Sequence, residues 1–356
     1  MKKTALIMAG GKGERFWPKS RKQLPKQFLS LTDNKKTMIQ LTVERINGIV
    51  DIEDVYIATN REYKSLVQEQ LPDIPEENIL CEPVGRNTAP CIGLGAIHMA
   101  EKLEEALMIV LPSDHLIGNN EKFIQTLLEA CEIAEEDSNI VTVGIKPEHP
   151  ETGYGYIRFD PEKKKGSAFE VDRFVEKPSY QLAEEYVKSG EYFWNSGMFV
   201  WKLSTILKNL EIFLPEIYSG LLDIQRAIGS MQEQEVLESV FRSFRSESID
   251  YGVMEKAEKI YIIHGQFDWD DVGSWLALER IRNKDEDGNV IIGNVIPVNT
   301  RNCIIQGENK LIAAVGMEDT VIVDTEDAIL ICNKNNTNQI REILEQLHLK
   351  NMEQQI

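Results

Sequence analysis

Short runs rich in Val, Ile and Leu end in polar or glycine residues at positions 4–9, 54–59, 107–111 and 140–143. Apolar runs this short and this uniform predict strands buried on both faces. Between them, Ile39, Val43, Ile46 and Val50, and later Phe123, Leu127, Leu128 and Cys131, recur at three- to four-residue spacing, the pattern of helices with one apolar face. Strands alternating with such helices predict a mostly parallel α/β sheet, in which ligands sit at the carboxyl ends of the strands. The polar, glycine-terminated run 283–289 then marks a boundary. Beyond it, β-prone pieces at 302–306, 310–315, 320–323 and 328–332 alternate with turn residues, predicting a small stack of β-helix-like rungs closed by a helix from about 338 to 349. The expected organisation is therefore a domain of residues 1–285 followed by a small strand-rich one of residues 286–356.

With 356 residues, 42% hydrophobic and 27% charged, the chain can bury a sizeable core. Its formal net charge of −19 opposes encounters with nucleic acid and with anionic membranes, so neither is an expected partner. Small anions remain possible ligands wherever positive charge is concentrated. The five cysteines, Cys81, Cys91, Cys131, Cys303 and Cys332, form no C-x-x-C pair and read as buried thiols. No secretory segment or membrane-length apolar run is visible, which makes the cytoplasm the expected compartment.

The first strand runs into Gly10-Gly11-Lys12-Gly13-Glu14-Arg15, where closely spaced glycines let backbone N–H groups converge on an anion. No Gly-Lys-Ser/Thr closes the loop as in a Walker A motif, and Phe16 stands where a dinucleotide fingerprint requires glycine or alanine. Lys12, Arg15, Lys19, Arg21, Lys22 and Lys26 surround the single acid Glu14, a local excess suited to a polyphosphate, with Arg15 and Lys26 placed to touch phosphate oxygens. A tight turn with a solvated basic face is the plainer alternative. The apolar strand ending at Leu111 delivers Asp114 to the functional edge of the sheet, and a second acidic group, Asp268, Asp270 and Asp271, lies far along the chain. Mg²⁺ is commonly held by one or two carboxylates together with substrate phosphates, and Asp114 with Asp271 is the proposed pair. Taken alone, Asp114 reads as a helix cap or turn residue and the Asp270-Asp271 pair as ordinary solvated charge. His115 has no second ligand at metal spacing and reads as packing or orientation.

The stretch from Gly10 to Arg21 with Pro25-Lys26-Gln27-Phe28 resembles the opening signature of bacterial mannose-1-phosphate guanylyltransferases. Further blocks agree in the family's order: Glu82-Pro83-Val84-Gly85-Arg86-Asn87-Thr88-Ala89-Pro90, Leu111-Pro112-Ser113-Asp114-His115, Thr152-Gly153-Tyr154-Gly155, Val175-Glu176-Lys177-Pro178, Trp194-Asn195-Ser196-Gly197 and Asp271-Val272-Gly273-Ser274-Trp275. The resemblance implies a Rossmann-like nucleotide-diphospho-sugar transferase domain with a mixed central sheet, a small C-terminal β-helix-like domain, and a homodimer. It implies transfer of GMP from GTP to mannose 1-phosphate with Mg²⁺, giving GDP-mannose and pyrophosphate. In that scheme Gly10, Gly11, Lys12, Gly13 and Ser113 hold the nucleotide, Glu82, Arg86, Asn87 and Thr88 lie beside the guanine, and Gly153, Tyr154, Glu176 and Asn195 meet the sugar. Arg15, Lys26 and Lys177 act on the phosphates, while Asp114 and Asp271 hold the metal.

A sugar phosphate is already an anion at neutral pH, so such a reaction needs charge screening and in-line geometry rather than a general base. Read singly, several of these residues have plainer roles. Glu82 and Asn87 could cap a helix starting near Ala89, Gly153-Tyr154-Gly155 could be a hairpin, Asn195-Ser196-Gly197 a turn, and Lys177 a solvated strand end. Glu14 and Cys91 depart from the family pattern; the first brings an acid to the loop and the second reads as packing. The chain also stops short of the isomerase region that longer relatives append, so no isomerase activity is expected. Two alternatives stand beside the main reading: another sugar-1-phosphate nucleotidylyltransferase, and a non-catalytic homologue that senses GDP-mannose.

Overall fold

The apolar run after the N-terminus forms the strand Lys3–Met8, which pairs in parallel with Val55–Asn60 on one side (Ala5 opposite Val55) and Leu107–Pro112 on the other (Lys3 opposite Leu107). The computed structural model describes residues 1–32 and 35–356. They fall into two compact units, one of Met1–Gly10, Thr42–Ser113 and Ile117–Trp269, the other of Gly11–Leu41, Asp114–Leu116 and Asp270–Ile356.

The first unit is built on a nine-stranded sheet in the order Ile79–Glu82, Val55–Asn60, Lys3–Met8, Leu107–Pro112, Tyr192–Lys202, Ile140–Ile145, Ile260–His264, Ala168–Glu176 and Gly155–Lys165. Its first four strands are parallel; the apolar runs predict three of them, and Ile79–Glu82 joins as a fourth that they do not mark. The second half corrects the mostly parallel expectation and agrees with the mixed sheet. Tyr192–Lys202 runs antiparallel to both Leu107–Pro112 and Ile140–Ile145, and Gly155–Lys165 and Ala168–Glu176 form an antiparallel hairpin. That hairpin turns at Gly166, whose φ of +59° suits a tight turn between right-twisted strands. Its outer part carries Glu162, Lys163, Lys164 and Lys165, so apolar content alone does not reveal it.

One face of this sheet buries the helix Thr88–Lys102, whose residues Ile92, Leu94, Ala96, Ile97 and Met99 share an apolar cluster with Leu6, Val110 and Trp201. The helices Leu203–Phe213 and Pro215–Ala227 contribute Leu210, Leu214, Ile217 and Leu221 to the same cluster. The helix Asn120–Glu135 packs against Ile140–Ile145 and Tyr192–Lys202.

The second unit stacks short parallel rungs. Val290 lies opposite Ile304 and Ile304 opposite Val321, while Val295 lies opposite Ile312. An antiparallel strand, Ile329–Asn333, closes the larger of the two sheets, and the helix Ile340–Leu349 follows. The glycine-loop segment belongs to this unit from Gly11 onward. Phe16, Trp17, Leu29, Leu31 and Met38 are buried in one apolar cluster with Trp275, Ile304, Val321, Leu330, Ile340 and Leu344. Trp275 adds a hydrogen bond from Nε1 to the Trp17 carbonyl oxygen at 3.0 Å.

Candidate active site

The strand Lys3–Met8 releases the chain into an open loop, several of whose carbonyls are turned to side-chain donors. In the first unit, Thr59 Oγ1 donates to the Ala9 carbonyl at 2.9 Å and Asn60 Nδ2 to that of Gly10 at 3.2 Å. In the second unit, Gln27 Nε2 donates to the Gly11 carbonyl at 2.9 Å and Ser20 Oγ to that of Gly13 at 2.7 Å. Among the described residues none accepts a hydrogen bond from the amides of Gly11, Lys12 or Gly13. Held carbonyls and available amides are the polarity an anion requires. Gly13 is fixed by two constraints: its φ is +63°, and a Cβ there would stand 2.5 Å from Lys26 Cβ and 2.8 Å from Lys26 N.

Gly11, Lys12, Gly13, Glu14, Arg15, Phe16, Lys26, Asp114, Gly273 and Arg341 line a cavity of about 310 Å³, all within the second unit. At its base, Lys26 is only 4% exposed and its Nζ donates to Asp114 Oδ2 at 2.8 Å and to the Asp271 carbonyl oxygen at 2.7 Å. Desolvation pushes the Asp114 carboxyl up, but the Lys26 ammonium, His115 and the hydrogen bond from Lys26 outweigh it and hold the group below the usual carboxylate range. The two distant aspartates of the sequence thus meet the same ammonium, one by its side chain and the other by its backbone.

Consecutive side-chain caps organise the second acidic group. Asp270 Oδ1 accepts from Val272 N at 2.7 Å, and Asp271 Oδ1 accepts from Gly273 N at 3.0 Å. Val272 sits at φ +46°, a strained conformation for a β-branched side chain, and it is fully buried. Asp270 is buried and held by Arg280, which corrects its reading as solvated charge. The basic run is likewise divided. Lys19 is tied to Glu308, and Arg21 to Asp327 Oδ1 at 2.6 Å and Thr325 Oγ1 at 3.2 Å, so these two brace the rung stack while Lys12 and Arg15 stay exposed at the cavity.

In the first unit, Glu82 ends the strand Ile79–Glu82 and is 5% exposed, with Oε1 buried and without a hydrogen-bond partner among the described residues. Burial pushes its carboxyl up to about 7, against the lowering effect of a hydrogen bond with Cys91. Cys91 therefore does more than pack. A Cβ on Gly10 would stand 3.6 Å from Glu82 Oε2, so these two predicted residues are neighbours. Arg86, Asn87 and Thr88 are partly committed to the scaffold: Arg86 Nη2 donates to the Arg242 carbonyl, Asn87 is the N-cap of the helix Thr88–Lys102, and Thr88 Oγ1 accepts from Ile249 N at 2.8 Å. Asn87 thus caps, as its plainer reading held, while Glu82 does not. Ser113 is buried, its amide donating to the Met8 carbonyl at 3.1 Å.

The sugar-site candidates cluster where three antiparallel strands meet. Gly155 lies opposite Glu176, and a Cβ on Gly155 would fall 2.3 Å from Glu176 Oε1 and 3.4 Å from Asn195 Cβ. Asn195 is inside the strand Tyr192–Lys202, not in a plain turn, and its amide is oriented at both ends: Nδ2 donates to Asp250 Oδ1 at 2.7 Å, and Oδ1 accepts from Gly197 N at 3.0 Å. Burial raises the Glu176 and Asp250 carboxyls, and the Asp250 charge adds to the rise at Glu176. Gly153 is exposed just before the hairpin, with its N–H on Glu151 Oε1 at 2.7 Å, and Tyr154 packs edge-on to Trp194 at 5.2 Å. Lys177 is exposed at φ +44°, immediately after the strand. Gly155, Asp250 and Arg341 escape the sequence reading. A Gly-x-Gly spacing hints at the first, but no local signal marks the other two.

The family described as Nucleotidyl transferase matches residues 4–288, and the MannoseP isomerase/GMP-like beta-helix domain matches residues 293–347. A mannose-1-phosphate guanylyltransferase of Salmonella montevideo is 41% identical over 99% of this chain and 75% of its own length. One from Klebsiella pneumoniae is 40% identical over 96% and 73%. Among solved structures, a Thermus thermophilus protein described as a mannose-1-phosphate geranyltransferase superposes with a TM-score of 0.88 at 36% identity, covering 98% of this chain and 100% of that one. No helix among the described residues is long and apolar enough to cross a membrane. With a catalytic-domain match over most of its length and relatives at this identity, the chain belongs to the mannose-1-phosphate guanylyltransferase family of nucleotidyl transferases.

Proposed function

We propose that this chain transfers GMP from GTP to mannose 1-phosphate, releasing GDP-mannose and pyrophosphate. The observation that carries the reading is the amide-lined cavity in which Lys26 bridges the Asp114 carboxylate and the Asp271 carbonyl. In the reaction an oxygen of the sugar phosphate attacks the α-phosphorus of GTP, the bond to the β-phosphate bridge oxygen breaks, and pyrophosphate leaves with the electron pair. Both reactants are anions, so the protein has to neutralise charge and hold the attack in line. The loop amides with Arg15 and Lys26 receive the triphosphate. Glu82 supplies acceptors to the ring N–H and amino group of guanine, with Arg86, Asn87 and Thr88 beside it. Glu176 and Asn195 accept and donate to sugar hydroxyls next to Gly153 and Tyr154, and Lys177 meets the sugar phosphate.

Asp114 and Asp271 would offer carboxylate oxygens, and among the described residues no group of three or more His, Cys, Asp or Glu is placed to hold a metal ion. Carboxylate oxygens are the hard donors that Mg²⁺ takes, with water and phosphate as its remaining ligands. Mg²⁺ would neutralise charge on the transferring phosphates. We further assign residues 1–285 as the catalytic domain and 286–356 as its companion, in a cytoplasmic homodimer.

The deciding experiment is pyrophosphate release with mannose 1-phosphate and Mg²⁺, comparing GTP with ATP, UTP and dTTP, and mannose 1-phosphate with other sugar phosphates. Preference for another pair replaces the substrate assignment. Binding of GDP-mannose without turnover favours the sensor instead.

A further inference from the structure

The cavity around the glycine loop takes one residue from far along the chain: Arg341, on the first turn of the helix Ile340–Leu349. Three observations single it out. First, the helix is seated firmly beside the loop, because Ile340 and Leu344 are buried in the apolar cluster that holds Phe16. Second, Arg341 is exposed and has no ion-pair partner among the described residues, whereas Arg21 and Arg280 of the same unit are tied to Asp327 and Asp270. Third, the helix follows directly on the 3-10 turns Lys334–Gln339, so Arg341 does not serve as a cap at a free helix end. It adds a planar, permanently charged donor to a cavity whose buried cation, Lys26, is already engaged with Asp114 and Asp271.

We infer that Arg341 is a phosphate-binding residue that grips the pyrophosphate end of the nucleotide, supplied to the glycine loop by the terminal helix. A guanidinium offers paired N–H donors to the oxygens of one phosphoryl group, and pyrophosphate presents such oxygens on both phosphorus atoms. The inference rests on reading the glycine loop as the triphosphate cradle.

The test compares wild type, Arg341→Gln and Arg341→Lys on the full chain. Inorganic pyrophosphate binding is measured by calorimetry, and the reverse reaction gives KM for pyrophosphate and for GDP-mannose separately. Arg341→Gln should weaken pyrophosphate binding and raise its KM about tenfold, which is ~1.4 kcal/mol, and leave KM for GDP-mannose within about twofold. Arg341→Lys should recover part of the loss. Wild-type pyrophosphate affinity in Arg341→Gln, or equal losses for both substrates, overturns the inference. Absence of turnover in the wild type counts against the enzymatic reading alone, because calorimetry still reads the pyrophosphate contact. As Arg341 is exposed, all three proteins should melt at the same temperature; a lower midpoint in Arg341→Gln would make its role structural and also overturn the inference.

Discussion

Replacing Glu82 by Gln should make the protein more stable above neutral pH while weakening it as a nucleotide binder. The folded state raises the Glu82 carboxyl from 4.5 to about 7, chiefly because the group is buried. Each pKa unit is worth about 1.36 kcal/mol, so the ionised form costs the folded protein up to ~3 kcal/mol, with ~1 kcal/mol a reasonable floor if water reaches the charge. Below pH 4.5 both folded and unfolded chains hold the proton and the penalty vanishes. Between pH 4.5 and 7 the folded chain binds more protons than the unfolded one, so stability falls as pH rises, and above 7 the full cost remains. Glutamine has no such charge. Urea unfolding of both proteins at a series of pH values from acid to mildly alkaline gives the difference directly: it should grow in favour of the variant by ~1–3 kcal/mol, mostly between pH 4.5 and 7. The same variant offers guanine one amide oxygen in place of two carboxylate oxygens, and KM for GTP should rise about tenfold, on the order of 1.4 kcal/mol. A stability difference that stays flat with pH, or one that grows in favour of the wild type, refutes the buried-charge argument.

Other expectations follow from single contacts. Gly13→Ala forces a side chain into a left-handed conformation against the Lys26 backbone; a loss of ~1–2 kcal/mol or more in urea unfolding is expected, with pyrophosphate release falling further than stability. Asp250→Asn removes the charged acceptor of the Asn195 amide at 2.7 Å, so KM for mannose 1-phosphate should rise about 10-fold or more while KM for GTP holds, as a charge-assisted hydrogen bond of ~1.5–3 kcal/mol requires; an equal effect on both substrates would exclude a positioning role. Asp270→Ala strips the cap from Val272 N and the partner from Arg280; thermal unfolding should show a loss of ~2 kcal/mol or more, and Asp270→Asn should recover part of it.

What the sequence discloses, and what it withholds, follows from how local each cause is. Gly13 is legible because the demand on it is a backbone angle in a loop already marked by its neighbours. Three strands of the parallel half are legible because they are mainly apolar, whereas Ile79–Glu82 is too short to stand out, and the rungs are legible because Ile304–Gln306 and Thr320–Asp324 recur between turns. The hairpin strand Gly155–Lys165 is obscured by its charged outer half. At the site, Asp114, Lys26 and Asp271 could be suggested by residue type, but their shared hydrogen bonds depend on three segments meeting. Asp250 and Arg341 gain their interest wholly from tertiary placement: one orients Asn195 from a π-helical turn, the other reaches the glycine loop from the chain's last long helix. The basic run illustrates the opposite error. Lys19 and Arg21 share their neighbours' charge, yet acids in the rungs claim them.

The burial of Phe16 and Trp17 among Trp275, Ile304 and Val321 makes the glycine loop depend on side chains far downstream in the chain. Methyl groups removed from the rungs should therefore slacken ligand affinity before they melt the remainder of the molecule, so that the apolar stack offers a remote means of tuning turnover without altering any residue the nucleotide touches.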